Sequence, residues 1–381
     1  MTDPDRVSVA FIWDTASPHF SRRTFMKTMG FVAAAGFAAA CGSSSKSTKT
    51  TGTTPPPDYS KEPKSLNFYN WTDYIATDTI PNFQRETGIK VTYDNYSSND
   101  ELFAKLRTGA NGFDLVVPTD LTLVKMKHAG ILQKLDLSQI TNIDNLDPRF
   151  RNAAYDPGNQ YSIPWQWGTT GIGYDKTKVG GTVTDWDAFD LPAVRGKSSL
   201  LDEARDAFGL ALFALHRDPN SLDDKDLDDA EKYLIDLKKK IKSITSDYQD
   251  PLKNGELILS HAYSGDVFQI QADNKKVEYV IPASGGFSWV DSMAIPKGAP
   301  HPGNALKFMN YMLEPKVGAA LTNFVQYGSP NKAAEPYISK DILGNPLIYP
   351  PPDVLAKLPF AKDLGEDEIK YADRWTKVKT A

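Results

Sequence analysis

Aromatic rings and carboxylates lie close together at three places in this sequence. Trp71 and Tyr74 flank Asp73, Tyr263 lies three residues before Asp266, and Trp289 stands two before Asp291. A fourth acidic group, Asp202, Glu203 and Asp206, falls at a turn between an apolar strand and a helical stretch. These residue types suit an alkylammonium ligand. Aromatic faces attract a desolvated cation by ~0.5–2 kcal/mol each and cover methylenes, while carboxylates accept the ammonium hydrogens. On an extended strand Trp289 and Asp291 point to one face, where they can hold adjacent parts of one molecule. Each group also has a plainer reading: Trp165 and Trp167 suit a core, and Asp202 and Glu203 suit the positive end of a helix.

Enzyme chemistry finds no comparable set of residues. The sequence lacks a Gly-x-x-x-x-Gly-Lys phosphate loop, a Gly-x-Ser-x-Gly elbow and a His-Glu-x-x-His metal motif. Its five histidines, at 19, 128, 216, 261 and 301, show no metal-ligand spacing, so neither a metal site nor a cofactor is expected. A Ser43-x-x-Lys46 tetrad lies in a low-complexity stretch with no scaffold for a nucleophile. The glycine-rich run 168–173 is not in dinucleotide-fingerprint order and reads as flexibility where the chain crosses between two blocks. Without residues 1–40, which hold four basic and three acidic side chains, 39 basic face 45 acidic ones. That excess of six acids argues against nucleic acid and anionic lipid surfaces and for a cationic ligand.

The elements that must position these residues alternate. Stretches 66–69, 89–93 and 113–118 read as short strands, and Thr79–Thr87 and 100–108 carry apolar residues at helical spacing. This βαβαβ start predicts an α/β fold with a largely parallel sheet, in which ligands bind at the loops beyond the strands' carboxyl ends. A second block with helical stretches 203–216 and 227–241 follows, and the strand 288–296 returns to the first block. Two α/β lobes joined by more than one crossing strand make a hinge with a cleft between them.

The N-terminal residues read as an address. Residues 21–27, Ser-Arg-Arg-Thr-Phe-Met-Lys, follow the twin-arginine pattern, and the 13 small and apolar residues 28–40 are too few for a span that needs about 20. They end in Ala38-Ala39-Ala40-Cys41, which resembles a lipobox, although Leu or Val is commoner at the position of Ala38. Cys41 is the only cysteine in 381 residues, so no disulfide forms, and lipidation gives the thiol a use; an incidental cysteine in a leader is the alternative. Residues 1–40 are therefore expected to be a signal peptide and 41–64, rich in Ser, Thr and Pro, a flexible tether.

From about Ser65 onward the sequence resembles the spermidine/putrescine-binding periplasmic proteins. The likeness lies in Phe68-Tyr69-Asn70-Trp71-Thr72-Asp73-Tyr74, Asp114-Leu115-Val116-Val117-Pro118-Thr119, Tyr161-Ser162-Ile163-Pro164-Trp165-Gln166-Trp167-Gly168, Leu201-Asp202-Glu203-Ala204-Arg205-Asp206 and Trp289-Val290-Asp291-Ser292-Met293-Ala294-Ile295-Pro296. The resemblance implies a type II periplasmic-binding fold of two interleaved lobes, 65–170 plus 291–335 and 174–287 plus 340–381. It also implies a polyamine ligand, delivery to an ABC permease driven by a cytoplasmic ATPase, and no enzymatic activity. Carried over by position, Trp71, Thr72, Asp73 and Tyr74 form one wall of the cleft, with Thr119 in place of a family serine. Glu203 and Asp206 receive one terminal ammonium, Trp289 stacks on the methylenes, Asp291 pairs with another amine, and Tyr263 and Tyr327 complete the cleft. Two departures bear on the ligand: Leu121 stands at an aromatic position and Ala361 where a glutamine is usual. Together these readings predict an exported protein held on the membrane through Cys41 and facing the periplasm or cell exterior. Another organic cation or small solute is the first alternative, and a secreted hydrolase using Glu203 and Asp291 the second.

Overall fold

A computed structural model of the protein describes residues 58–109 and 112–381. The expected signal peptide, the twin-arginine pattern, Cys41 and residues 41–57 of the expected tether lie outside them. Residues 58–64, also assigned to the tether by composition, are packed onto the body. Asp58 accepts the amide of Ser60, and Glu62 accepts the backbone N–H groups of Gly303 and Asn304 at 2.9 and 3.0 Å. The carboxylate of Glu62 thereby satisfies donors that a helix beginning at Pro302 leaves without intrahelical partners.

The strands are β1 (Ser65–Trp71), β2 (Lys90–Tyr96), β3 (Leu115–Val116), β4 (Ser162–Asp175), β5 (Ser198–Leu200), β6 (Ser243–Ile244), β7 (Leu259–Tyr263), β8 (Val277–Val280) and β9 (Ser288–Ala294). They join in the order β2-β1-β3-β9-β4-β7-β5-β6, with β8 also on β4. β1 runs parallel to β2 and β3, and β5 runs parallel to β6 and β7. Between these parallel groups stand β9 and β4, antiparallel to each other and to their outer neighbours β3 and β7. β4 belongs to both groups: its residues from Ser162 to Thr169 pair with β9, and those from Thr170 to Asp175 with β7 and β8. Thirteen of its 14 residues are buried, which explains why it reads as a continuous apolar and glycine-rich run rather than an alternating one.

The main helices are α1 (Thr79–Thr87), α2 (Asn99–Arg107), α3 (Asp120–His128), α4 (Ala204–Ala214), α5 (Asp224–Lys238), α6 (Gln249–Asn254), α7 (Ser264–Asp273), α8 (Pro302–Met312) and α9 (Pro315–Val325), with a C-terminal helix over Glu368–Thr380. α1 occupies the expected range. α2, α4 and α5 begin and end within a few residues of their sequence patterns, because caps decide ends that periodicity leaves open. In α2, Ser98 Oγ accepts the amide of Glu101 at 3.2 Å, with acids in the first turn and Lys105 and Arg107 in the last.

Two main cores follow from this connectivity. Leu66, Phe68, Phe83, Leu115, Ile163, Met293 and Phe308 pack in one, and Ile172, Phe208, Leu212, Leu234, Leu259, Tyr371 and Trp375 in another. The first draws on residues from 66 to 165 and again from 293 to 327, so the chain leaves that half and returns to it.

The run 168–173 is not a flexible crossover. It lies inside β4, and a Cβ on Gly168 would sit 2.8 Å from Trp289 Cζ2 and 2.9 Å from Tyr327 Cδ1. Glycine is required there because two rings lie directly on the strand. Gly168→Ala is expected to force both rings aside and lower stability by ~1–3 kcal/mol, the usual cost of overpacking. A thermal melt checks this, and a midpoint equal to the parent's would mean that the rings yield without cost.

Candidate functional site

The strand ends and helix starts converge on one cavity of about 690 Å³. The segment leaving β1 supplies Trp71, Thr72 and Tyr74, and the start of α3 supplies Thr119, Asp120 and Leu121. The turns from β5 into α4 and from β7 into α7 supply Glu203 and Asp206, and Tyr263 and Asp266. β9 supplies Trp289 and Asp291, and the residue pair after α9 supplies Tyr327. Ten of the eleven ligand-contact residues expected from the sequence thus line a single cavity. Asp73 does not. Its backbone is left-handed (φ 53°) and its side chain is exposed, while its neighbours Trp71 and Tyr74 face the cavity.

The aromatic residues form a connected wall. Trp289 meets Tyr327 at 5.2 Å and Tyr263 at 5.7 Å between ring centroids, both edge to face, and Tyr327 meets Tyr74 at 5.4 Å. Trp71 packs against Tyr96 with the rings tilted by 53° and is oriented by its Nε1–H, which donates to Val117 O at 2.9 Å. Tyr327 is aimed by the left-handed turn at Gln326 (φ 57°). Its ring covers Gly265, where a Cβ would lie 2.5 Å away, and its hydroxyl donates to Asp266 Oδ1 at 2.6 Å.

Eight carboxyl groups line the same space, and burial raises five of them, Asp120, Glu203, Asp206, Asp266 and Asp291. Asp120 and Asp291 are buried; Glu203, Asp206 and Asp266 are half-buried with their remainder toward the cavity. Burial pushes Glu203 up to about 8, with the charges of Asp206 and Asp100 adding to the effect, and Asp120 up to about 7. Asp206 rises to about 6, restrained by the hydroxyl of Thr170, which donates to it at 3.0 Å. Asp266 is raised by burial despite the donated bonds of Tyr327, Tyr248 and Gln249. Asp291 is pushed well above the carboxylate range by burial, with the charges of Asp120 and Asp266 contributing. The Tyr74 hydroxyl lies close enough to Asp291 to offset part of that rise, although Tyr74 Oη and Asp291 Oδ1 do not meet at good hydrogen-bond geometry, and Trp289 Nε1 also lacks a partner.

Three basic side chains at the wall, Arg107, Lys125 and Arg205, are outnumbered by these acids, although Arg205 lowers Asp206. Arg205 is held by Glu368 at 2.6 Å, Asn220 at 2.7 Å and Lys362 O at 2.9 Å, and Lys125 also pairs with Glu368, at 3.3 Å. Among the described residues no group of three or more His, Cys, Asp or Glu side chains could hold a metal ion. What remains is a cavity with unbalanced negative charge beside aromatic faces, able to take a cation with an apolar body. Sequence reasoning missed Asp120, whose place at the start of α3 looks like ordinary helix-end chemistry, and Tyr96, Asn99 and Gln249, which stand beside no motif. Asp266 was visible beside Tyr263 but was not carried into the expected site. Leu121 and Ala361, the two departures from the family pattern, both line the cavity.

The model of a family described as bacterial extracellular solute-binding protein matches residues 79–348. The putrescine-binding periplasmic protein PotF of Escherichia coli is 39% identical over 342 residues, covering 84% of this chain and 92% of that one. Two solved structures are alike along their whole length. The spermidine/putrescine ABC transporter substrate-binding protein PotD of Streptococcus pneumoniae has a TM-score of 0.71 at 31% identity, covering 83% of this chain and 98% of that one. The lipoprotein TpPotD of Treponema pallidum has a TM-score of 0.74 at 30% identity, covering 83% and 100%.

The raised carboxyls predict how the ligand-free protein responds to pH. From about pH 6.5 the native chain still holds protons, on Asp120 up to about pH 7 and on Glu203 up to about pH 8, that the unfolded chain, with ordinary carboxyl values, has released. The native state therefore binds more protons, and stability falls as pH rises, by about 1.4 kcal/mol per pH unit for each group titrating in the window. Below that window His261, buried and depressed to about 3, acts in the opposite direction. Melting curves at constant ionic strength should shift downward from pH 6.5 to 8.5, and less so in Glu203→Gln. A flat or rising midpoint would mean that these carboxyls are ordinary.

Proposed function

We propose that this chain, which belongs to the bacterial extracellular solute-binding protein family, binds a linear polyamine, spermidine or putrescine, between its two lobes and delivers it to an ABC permease. The family is one of binding proteins and not of enzymes, and its relatives are periplasmic. The observation that carries the ligand assignment is the cavity in which Asp120, Glu203, Asp206, Asp266 and Asp291 surround the Trp289–Tyr327–Tyr263 wall and acidic side chains outnumber basic ones by eight to three.

A protonated amine entering this space supplies the charge that burial withholds. Asp291, whose Oδ1 lacks a partner, accepts one ammonium, while Glu203 and Asp206 accept another. Trp289 and Tyr327 cover the methylenes between them, Trp71, Tyr74 and Tyr263 close the sides, and the hydroxyls of Thr72 and Thr119 face the same cavity. Each bound ammonium lowers the pKa of the carboxyls around it, so binding near neutral pH expels protons and weakens as the medium becomes acidic. Leu121 and Ala361, at positions where the resemblance leads one to expect an aromatic and a glutamine, offer no stacking face and no polar contact; this favours putrescine or another diamine over spermidine.

Delivery requires the protein to stay close to its permease. The twin-arginine leader, the Ala38-Ala39-Ala40-Cys41 sequence and the polar stretch after it support export, acylation of Cys41 and a tethered body. Among the described residues no helix is long and apolar enough to cross a membrane, and the similar protein of Treponema pallidum is itself a lipoprotein.

Asp291→Asn should reduce putrescine and spermidine affinity by over a hundredfold, roughly 3–5 kcal/mol, because an ammonium is then desolvated without its partner charge. Trp289→Leu should cost less. Calorimetric titration beside a ligand-free melting curve tests this; binding within threefold of the parent would remove Asp291 from the site and undercut the polyamine reading. Cys41→Ser should leave the fold and ligand binding unchanged but release the protein from the membrane pellet on fractionation, and retention in the pellet would refute acylation there.

A further inference from the structure

Glu203 precedes α4 at the position where a short polar side chain ordinarily caps the helix, with extended backbone angles (φ −133°, ψ 114°), yet its side chain makes no bond to its own helix. Its carboxylate reaches instead to a donor 104 residues away. The backbone N–H of Asn99 meets Glu203 Oε1 at 3.2 Å. Asn99 is the first residue of α2, which follows β2 at one end of the strand order, whereas Glu203 follows β5 toward the other end. The bond therefore spans the cavity that both residues line.

The side-chain oxygen of Asn99 is held on its own side. Its Oδ1 accepts the hydroxyl of Thr119 at 3.1 Å and the amide of Thr119 at 3.4 Å, which ties the start of α2 to the start of α3. α2 has its own cap in Ser98. The Asn99 N–H is thus one of the donors at a helix start that lacks an intrahelical partner, aimed at the opposite half and carrying the partial positive charge of the helix end. Further contacts span the same gap: Lys125 meets Glu368 at 3.3 Å and His128 meets Asp363 at 3.2 Å, both joining α3 to the C-terminal segment.

We propose that Asn99 is a positioning residue that closes the cleft, its main-chain N–H holding Glu203 so that the two halves meet before a ligand arrives. The inference rests on the reading of the cavity as a solute-binding cleft, but not on which solute enters it. A carboxylate has room for several donors, so the amide of Asn99 leaves Glu203 able to accept an ammonium as well. Burial has raised Glu203, with Asp206 and Asp100 beside it, and a donated N–H is one of the few contacts that favours its charged form. The contact has two consequences. Ligand-free protein samples the closed form, and ligand leaves only as fast as this bond lets the halves part.

The bond can be removed at Asn99 while the acidic and aromatic side chains of the cavity are left in place. Proline is well tolerated at the first position of a helix, where its missing N–H breaks no intrahelical bond, and Ser98 already has the extended conformation (φ −151°, ψ 155°) that proline demands of its predecessor. Asn99→Pro removes both the N–H and the Thr119 contacts, whereas Asn99→Ala keeps the N–H and loses only the latter. Glu203→Ala removes the acceptor while leaving α2 intact, so the test survives if the proline variant folds poorly.

Hydrogen exchange of the ligand-free full chain, read on peptides covering 201–208 and 286–294, should be at least ~5-fold faster in Asn99→Pro and Glu203→Ala than in the parent and in Asn99→Ala. Putrescine dissociation, followed by stopped flow, should accelerate about tenfold in Asn99→Pro and little in Asn99→Ala. Equal exchange in parent and proline variant, or an alanine variant as open as the proline one, would overturn the proposal. Should putrescine fail to bind the parent at all, the polyamine reading falls while the exchange experiment still decides the role of Asn99.

Discussion

Eight carboxyl groups line one cavity against three basic side chains, and five of the eight are raised by burial. Taking an ionised carboxylate out of water is costly, and the cost rises when a second one is brought near it. Asp291 shows the consequence most clearly, with an oxygen left unpartnered and its carboxyl pushed far above its ordinary value by burial and by Asp120 and Asp266. Arg205 and Lys125 reach the wall but are drawn off by Glu368, so the imbalance is maintained and not relieved. A buried charge of this kind is destabilising by itself and becomes favourable only when a cation arrives from outside.

The fold supports this by holding the acids on rigid elements. β4 and β9 run through the middle of the sheet, and Trp289 and Asp291 lie on β9 where it passes between the two parallel groups. Gly168 on β4 and Gly265 at the start of α7 let the Trp289 and Tyr327 rings lie directly on backbone. The aromatic wall is thereby fixed by packing, and Tyr327 in turn fixes Asp266 through a bond of 2.6 Å. Ordering the site in advance lowers the entropy lost when a flexible ligand binds.

Much of this was legible in the sequence, and what was not has identifiable reasons. Trp289 and Asp291 were found because a period of two on a strand puts both on one face, and α1 because its apolar spacing is regular. Asp73 was misplaced because adjacency to Trp71 and Tyr74 says nothing of the left-handed backbone that leaves it exposed. The glycines from 168 to 173 read as flexibility because composition alone cannot tell a mobile glycine from one crowded by rings 2.8 Å away. Residues 58–64 looked like linker because the partner that orders Glu62, the start of α8, is about 240 residues distant. Asn99 left no trace at all, since its bond across the cavity is made by the main chain, which every residue but proline shares.

The placement of the acids also resolves a tension within the architecture. Loops beyond the carboxyl ends of parallel strands lead into helices, so the cavity is ringed by the positive starts of α2, α3, α4 and α7, an arrangement that ordinarily attracts anions. In this chain each of those four helices carries a cavity-lining aspartate in its first turn: Asp100, Asp120, Asp206 and Asp266. A helix end bears about half a positive charge and an ionised aspartate a whole negative one, so each pair leaves a net negative field. The helix amides meanwhile ease the burial of the carboxylate, as the backbone of Leu121 does for Asp120. One residue per helix thus converts an anion-attracting ring into a cation-attracting one without altering the fold, and Glu203 and Asp291 add to the negative field of the same cavity.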